Sequence, residues 1–221
     1  MKLFFDCEFT GLRKDTTLIS LGIVDENGKK FYAEFTDYDE RQCGEWIKEN
    51  VIKNLHLYPI PWCSSVYERL EQMKRDGYIF PQMPLIPTGN SILAYPWAKE
   101  DENGNVECVG EAGWVESVLK IWISQFDSIQ FVSDVCHYDF ILLIDLLTNG
   151  GTALDLPDGI SAVCHDINSD IARRYGISER EAFDKSREEI ISELCDKPVM
   201  GNKHNALYDA EVIREIYGEI G

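Results

Sequence analysis

The chain predicts an α/β domain: a mixed β-sheet with helices on its faces. Two observations predict it. The first 35 residues read as three strands joined by short turns, and the rest alternates short apolar strand-like runs with segments of helical periodicity. Residues 2–9 alternate strictly, with Phe4, Asp6 and Glu8 on one face and Leu3, Phe5, Cys7 and Phe9 on the other. Thr17 to Val24 is apolar and β-branched. Asp25-Glu26-Asn27-Gly28 is a turn, and Lys30 to Phe35 completes an antiparallel three-stranded start.

Helical patterns follow at Glu45–Leu55 and, after the Pro59–Pro61 break, at Val66–Lys74. Residues 81–113 hold four of the eight prolines and a polar Glu100–Asn105 stretch, so they are expected to form a long irregular surface excursion. Trp114–Phe126 has helical spacing and Ser128–Val132 reads as a strand. Tyr138–Leu147 reads as an apolar helix stopped by Asn149-Gly150-Gly151. Ser161–Cys164 reads as a short strand, and Ile167–Tyr175 as a helix closed by Gly176. Ser178 with Glu181 forms a capping box opening a helix to about Leu194, and a last helix runs from near Asn205 to about Gly218.

At 221 residues this sizes as a single domain, 1–221. Lys and Arg number 21 against 39 Asp and Glu, a net charge of −18. That argues against a protein held on nucleic acid by a broad basic surface, but not against an enzyme that neutralises its substrate with metal ions. No apolar run reaches the roughly 18 residues of a membrane span, and no secretory leader is expected. Seven cysteines without a CxxC pair point to reduced thiols and a cytoplasmic setting.

The chemistry is carried by acids in apolar places. Asp6 and Glu8 lie two apart on a strand otherwise made of Leu, Phe and Cys, so both carboxylates share a face and need a positive partner. A divalent cation such as Mg²⁺ or Mn²⁺ is one; the alternative is a strand end emerging into water. Asp209 falls on the apolar stripe of the last helix with Ile213 and Ile216, and His204 stands just before the N-cap Asn205. His204 reads either as a general base near a metal-bound acid or as a surface histidine. Asp139 shares a face with Leu142, Leu143 and Leu146, although an acid in a first turn also serves the helix dipole.

Asp6-Cys7-Glu8-Phe9-Thr10-Gly11-Leu12 resembles the first motif (DxExTGL) of the DnaQ-like 3′–5′ exonucleases, which have a ribonuclease-H-like fold. Asp134 to Asp139 resembles a DxxxYD second motif, and His204 to Asp209 the HxxxxD third motif. The set resembles the DEDDh group, most closely its small actinobacterial-type exoribonucleases. The likeness covers residues 1–55, 128–147 and 203–217, with Val135 where the second motif usually has Asn.

The resemblance implies a metal-dependent 3′–5′ exonuclease acting on 3′ ends of single-stranded RNA or DNA. Two Mg²⁺ or Mn²⁺ ions would be held by Asp6, Glu8, Asp139 and Asp209, with His204 as general base. It places the terminal nucleotide along Phe9, Thr10, Gly11 and Leu12, and is compatible with a homodimer. Two other readings remain: a non-catalytic nucleic-acid-binding module of the same fold, and a nucleotide phosphohydrolase built on His165-Asp166. Core or interface packing is the default for the tryptophans, Trp46 included, and a solvated face for Arg173-Arg174, Lys29-Lys30 and the charged stretch Glu179–Glu193.

Overall fold

The computed structural model describes residues 1–55, 97–195 and 198–221. Its strands are β1 (Lys2–Phe9), β2 (Leu18–Asp25), β3 (Lys30–Phe35), β4 (Trp97–Glu100), β5 (Val106–Gly110), β6 (Gln130–Ser133) and β7 (His165–Asp166). They form one sheet in the order β4-β5-β3-β2-β1-β6-β7. The meander β1-β2-β3 is antiparallel, as the sequence predicts, while β5 joins β3 and β6 joins β1 in parallel. The helices are α1 (Glu45–Asn50), α2 (Ala112–Ile123), α3 (Cys136–Thr148), α4 (Asn168–Tyr175), α5 (Glu179–Asp184), α6 (Arg187–Leu194) and α7 (Ala206–Ile220). This is the α/β architecture expected, with helices on both faces of a mixed sheet.

The alternation of β1 decides which helix covers which face. Its odd residues Leu3, Phe5 and Cys7 enter a core shared with Val115 and Leu119 of α2 and Leu143 and Leu147 of α3. Phe5 meets Phe131 edge-on at 5.2 Å. Its even residue Phe4 enters a second core with Val212, Ile213 and Ile216 of α7 and Ile171 of α4. Asp6 and Glu8 therefore lie on the α7 face. Burying each large aliphatic side chain contributes about 2 kcal/mol, so α7 is held by its apolar stripe.

One glycine allows α7 to come this close. Gly22 pairs with Asp6 across β1 and β2. A Cβ on Gly22 would lie 2.3 Å from the backbone of Ala206, the first residue of α7. No side chain fits there, so the start of α7 rests directly on the sheet beside Asp6. Asn205 caps it: its Oδ1 accepts from the amides of Leu207 and Tyr208, both at 3.2 Å. Its Nδ2 donates to the Tyr32 hydroxyl at 3.2 Å and the Asn54 carbonyl at 3.1 Å.

Several expectations are corrected. Residues 97–110 are not an irregular excursion but the hairpin β4-β5 on the sheet edge. Their polar stretch is its turn, in which Asp101 Oδ1 accepts from the amides of Asn103 and Asn105. Helix α1 ends at Asn50, and a 3₁₀ turn at Ile52–Asn54 follows. Ser161–Cys164 is a loop in which Ser161 Oγ accepts from the Val163 amide; the strand lies just beyond, at His165–Asp166. The helix expected to reach Leu194 is two helices, because Ser186 acts as a second N-cap, its hydroxyl accepting from the Glu189 amide. Pro59–Pro61 and Val66–Lys74 lie outside the described residues, as do 81–96 of the excursion.

Candidate active site

The carboxylates come from three elements that meet beside the second half of β1. Asp6 and Glu8 are on β1. Asp139 is in the first turn of α3 and Asp209 in the first turn of α7. Both helices point their N-terminal, partly positive ends at the cluster. Two groups form, each with one ligand atom per residue and all such atoms within 4.8 Å: Glu8, His204 and Asp209, and Asp6, Asp134 and Asp139.

Each acid is fixed by local chemistry. Ser133, the last residue of β6, donates its hydroxyl to Asp139 Oδ2 at 2.8 Å and accepts the Val135 amide at 3.0 Å. Asp209 Oδ2 accepts the backbone amide of His204 at 2.8 Å. That bond needs His204 in the left-handed region, at φ 63°, a conformation costing about 1 kcal/mol for a residue with a side chain. The turn leaves His204 Nδ1 3.8 Å from Glu8 Oε1.

The electrostatics are severe. Burial pushes the Asp6 and Glu8 carboxyls well above their ordinary range, and the neighbouring acids push them further. Asp139 is raised in the same way, against the hydrogen bond from Ser133. Asp209 is pushed up to about 7, again mainly by burial. Burial, then the nearby Lys203, lowers His204, so its imidazole is neutral at physiological pH. Crowded carboxylates of this kind become favourable together when a cation sits among them. An oxygen-rich set with one imidazole suits a hard divalent ion such as Mg²⁺ or Mn²⁺, and these residues fit one.

The residues after β1 are placed unequally. Phe9 is half-buried and stacks on Tyr138 at 5.6 Å, while Leu12 is 75% exposed. Thr10 is buried, its hydroxyl donating to Gln42 Oε1 at 2.5 Å and its amide to the Thr17 carbonyl at 3.0 Å. The Gly11 amide donates to Thr16 Oγ1 at 3.2 Å. Both amides therefore support the loop, and the Gly11 carbonyl accepts the Arg13 amide at 2.9 Å.

His165 and Asp166 turn to different partners. His165 Nε2 pairs with Asp170 Oδ2 at 2.5 Å, and Asp166 Oδ1 accepts the amide and side chain of Asn168 at 2.9 and 2.7 Å. Among the described residues neither belongs to a metal-sized group. His137 is exposed beside Tyr138 and Phe183.

Two residues escaped sequence reasoning. Asp134 belongs to the acid cluster but sits in the β6–α3 loop, where no periodicity marks its direction; its place in DxxxYD was the available signal. Trp46 is not core: it is 55% exposed and lies edge-on against His204 at 4.9 Å.

Searched against known families, the chain matches no family model. Two curated 3′–5′ exoribonucleases of Mycobacterium tuberculosis, from different strains, are each 32% identical over 76 residues, 34% of this chain. The match spans 43% of the relatives' own length. Among solved structures, S. pombe Pop2p in a Mg²⁺- and Mn²⁺-bound form aligns over 99% of this chain and 82% of its own, at 16% identity and a TM-score of 0.50. The nuclease domain of 3′hExo, a DEDDh family member bound to rAMP, aligns over 98% of this chain and 88% of its own, at 9% identity and a TM-score of 0.53. In architecture, then, the chain carries the ribonuclease-H-like fold that it shares with this DEDDh nuclease domain.

Proposed function

We propose that the chain is a metal-dependent 3′–5′ exonuclease that removes nucleotides from the 3′ ends of single-stranded RNA. The observation that carries this reading is the convergence of Asp6, Glu8, Asp139 and Asp209 with a neutral His204 beside Glu8. The names of the curated relatives support an exonuclease, and RNA over DNA. The bound ions of Pop2p and the rAMP of the 3′hExo domain support divalent ions and a ribonucleotide at this site.

Asp6, Glu8, Asp139 and Asp209 would hold two Mg²⁺ or Mn²⁺ ions. Bound there, the ions would supply an activated water and stabilise charge on the phosphoryl oxygens. His204 would take the proton from the attacking water, since its lowered pKa leaves it unprotonated and its half-exposed position opens it to solvent. The left-handed turn at His204 ties the base to Asp209 through one hydrogen bond, so base and acid keep a fixed relation. Exposed Leu12 and Trp46 would offer apolar surface to the terminal bases. With a net charge of −18, grip on longer nucleic acid would be weak and salt-sensitive. Seven cysteines without a CxxC pair are in keeping with a reducing, cytoplasmic setting, and no described helix is long and apolar enough to cross a membrane.

The test is a matched pair of 5′-labelled RNA and DNA single strands, incubated with Mn²⁺ or EDTA. A ladder shortening from the 3′ end of the RNA, absent in EDTA and in Asp6→Ala but retained in His165→Ala, is expected. Cleavage that survives Asp6→Ala, or no cleavage of either strand, overturns the assignment.

A further inference from the structure

One cationic side chain reaches the acid cluster from a part of the chain to which the sequence motifs assign nothing. Arg187 opens α6, and its Nε donates to Asp134 Oδ2 at 2.7 Å, with both side chains largely buried. The rest of its guanidinium is also engaged. Nη1 donates to the carbonyls of Ala182 at 3.0 Å and Lys185 at 2.9 Å, and Nη2 to Asn168 Oδ1 at 2.6 Å. Asn168 in turn donates to the Asp134 carbonyl at 2.7 Å. Asp134 is thus gripped at its side chain by Arg187 and at its backbone by Asn168, while it lies within 4.8 Å of ligand atoms of Asp6 and Asp139.

We propose that Arg187 is a positioning residue: its guanidinium fork holds Asp134 as an oriented acceptor for a cation-bound water beside the metal-holding acids Asp6 and Asp139. A carboxylate that gives one oxygen to an arginine keeps lone pairs on the other, suited to a water bound to a cation. Outer carboxylates of this kind orient metal ligands, and losing their support typically costs ten- to a hundred-fold in metal affinity. A lysine is a poor substitute, because four acceptors in fixed directions match a planar fork and not a point charge. The break between α5 and α6 has its reason here: it exposes the carbonyls of Ala182 and Lys185 that seat the guanidinium.

This inference rests on the metal site proposed above, and the test separates the two. Mn²⁺ alone is titrated calorimetrically into the full chain, without nucleic acid, for the native protein, Arg187→Gln, Arg187→Lys, Asp134→Asn and the doubles with Asp134→Asn. Expected are Mn²⁺ binding by the native chain, about ten-fold weaker binding in Arg187→Gln, and several-fold weaker binding in Arg187→Lys. Neither change should weaken binding further once Asp134 is Asn. Affinity unchanged in the Arg187 variants, or a loss of equal size in both backgrounds, overturns the positioning role and reduces Arg187 to a structural clamp. Arg187→Lys keeps the charge and serves if Arg187→Gln does not fold. If the native chain binds no Mn²⁺, the metal site itself fails, and this inference with it.

Discussion

Without divalent ions, replacing Asp209 by Asn should make the folded chain more stable at about pH 8. Asp209 is raised from 3.8 to about 7, chiefly by burial. Each pH unit between the folded and unfolded values is worth about 1.36 kcal/mol, so an ionised Asp209 costs the ion-free folded state on the order of 4 kcal/mol. The folded chain binds this proton more tightly than the unfolded chain. Stability contributed by the group is therefore present at low pH and is lost as pH rises from about 4 towards 7. Asn keeps an oxygen to accept the His204 amide but carries no charge. A gain of roughly 2–4 kcal/mol is expected at about pH 8, shrinking to near zero at about pH 4. Urea unfolding followed by circular dichroism in EDTA reads both values. Millimolar Mn²⁺ should reverse the order, because ion binding stabilises the native chain more than a variant that has lost a ligand. Equal stability of the two proteins at about pH 8, or a gain of the same size at both pH values, refutes the picture of crowded charges relieved by a cation.

Two further outcomes follow from how α7 is seated. Gly22→Val, whose added side chain would start 2.3 Å from the Ala206 backbone, should cost on the order of 3 kcal/mol in urea unfolding. It should also lower nuclease turnover well beyond the unfolded fraction, because Asp209 and His204 shift with the helix. Asn205→Ala removes the cap of α7 and the bonds to Tyr32 and Asn54, and should cost about 1–2 kcal/mol in the same assay.

The legible part of the molecule is the part with period. Strict alternation placed β1, put Asp6 and Glu8 on one face and predicted the antiparallel start. The apolar stripe of α7 pointed Asp209 inward. What stayed hidden lacks such a signal. The strands β4 and β5 are four and five residues long, and their turn holds itself with side-chain-to-backbone bonds that read as loop. Arg187 lies 53 residues from Asp134 in sequence and looks like one charge among many on a solvated helix. The close approach at Gly22 is also invisible locally, since nothing in its strand reveals that a helix end presses on it. The place of Trp46 beside His204 was not legible, because aromatic residues usually lie inside while its helix buries none of its residues.

The acids of the site are drawn from opposite ends of the chain, Asp6 and Glu8 near one and Asp209 near the other. During synthesis the first strands emerge long before α7. A nascent chain can thus assemble its meander while the acid cluster still lacks His204 and Asp209, which join it only when residues 204–220 dock.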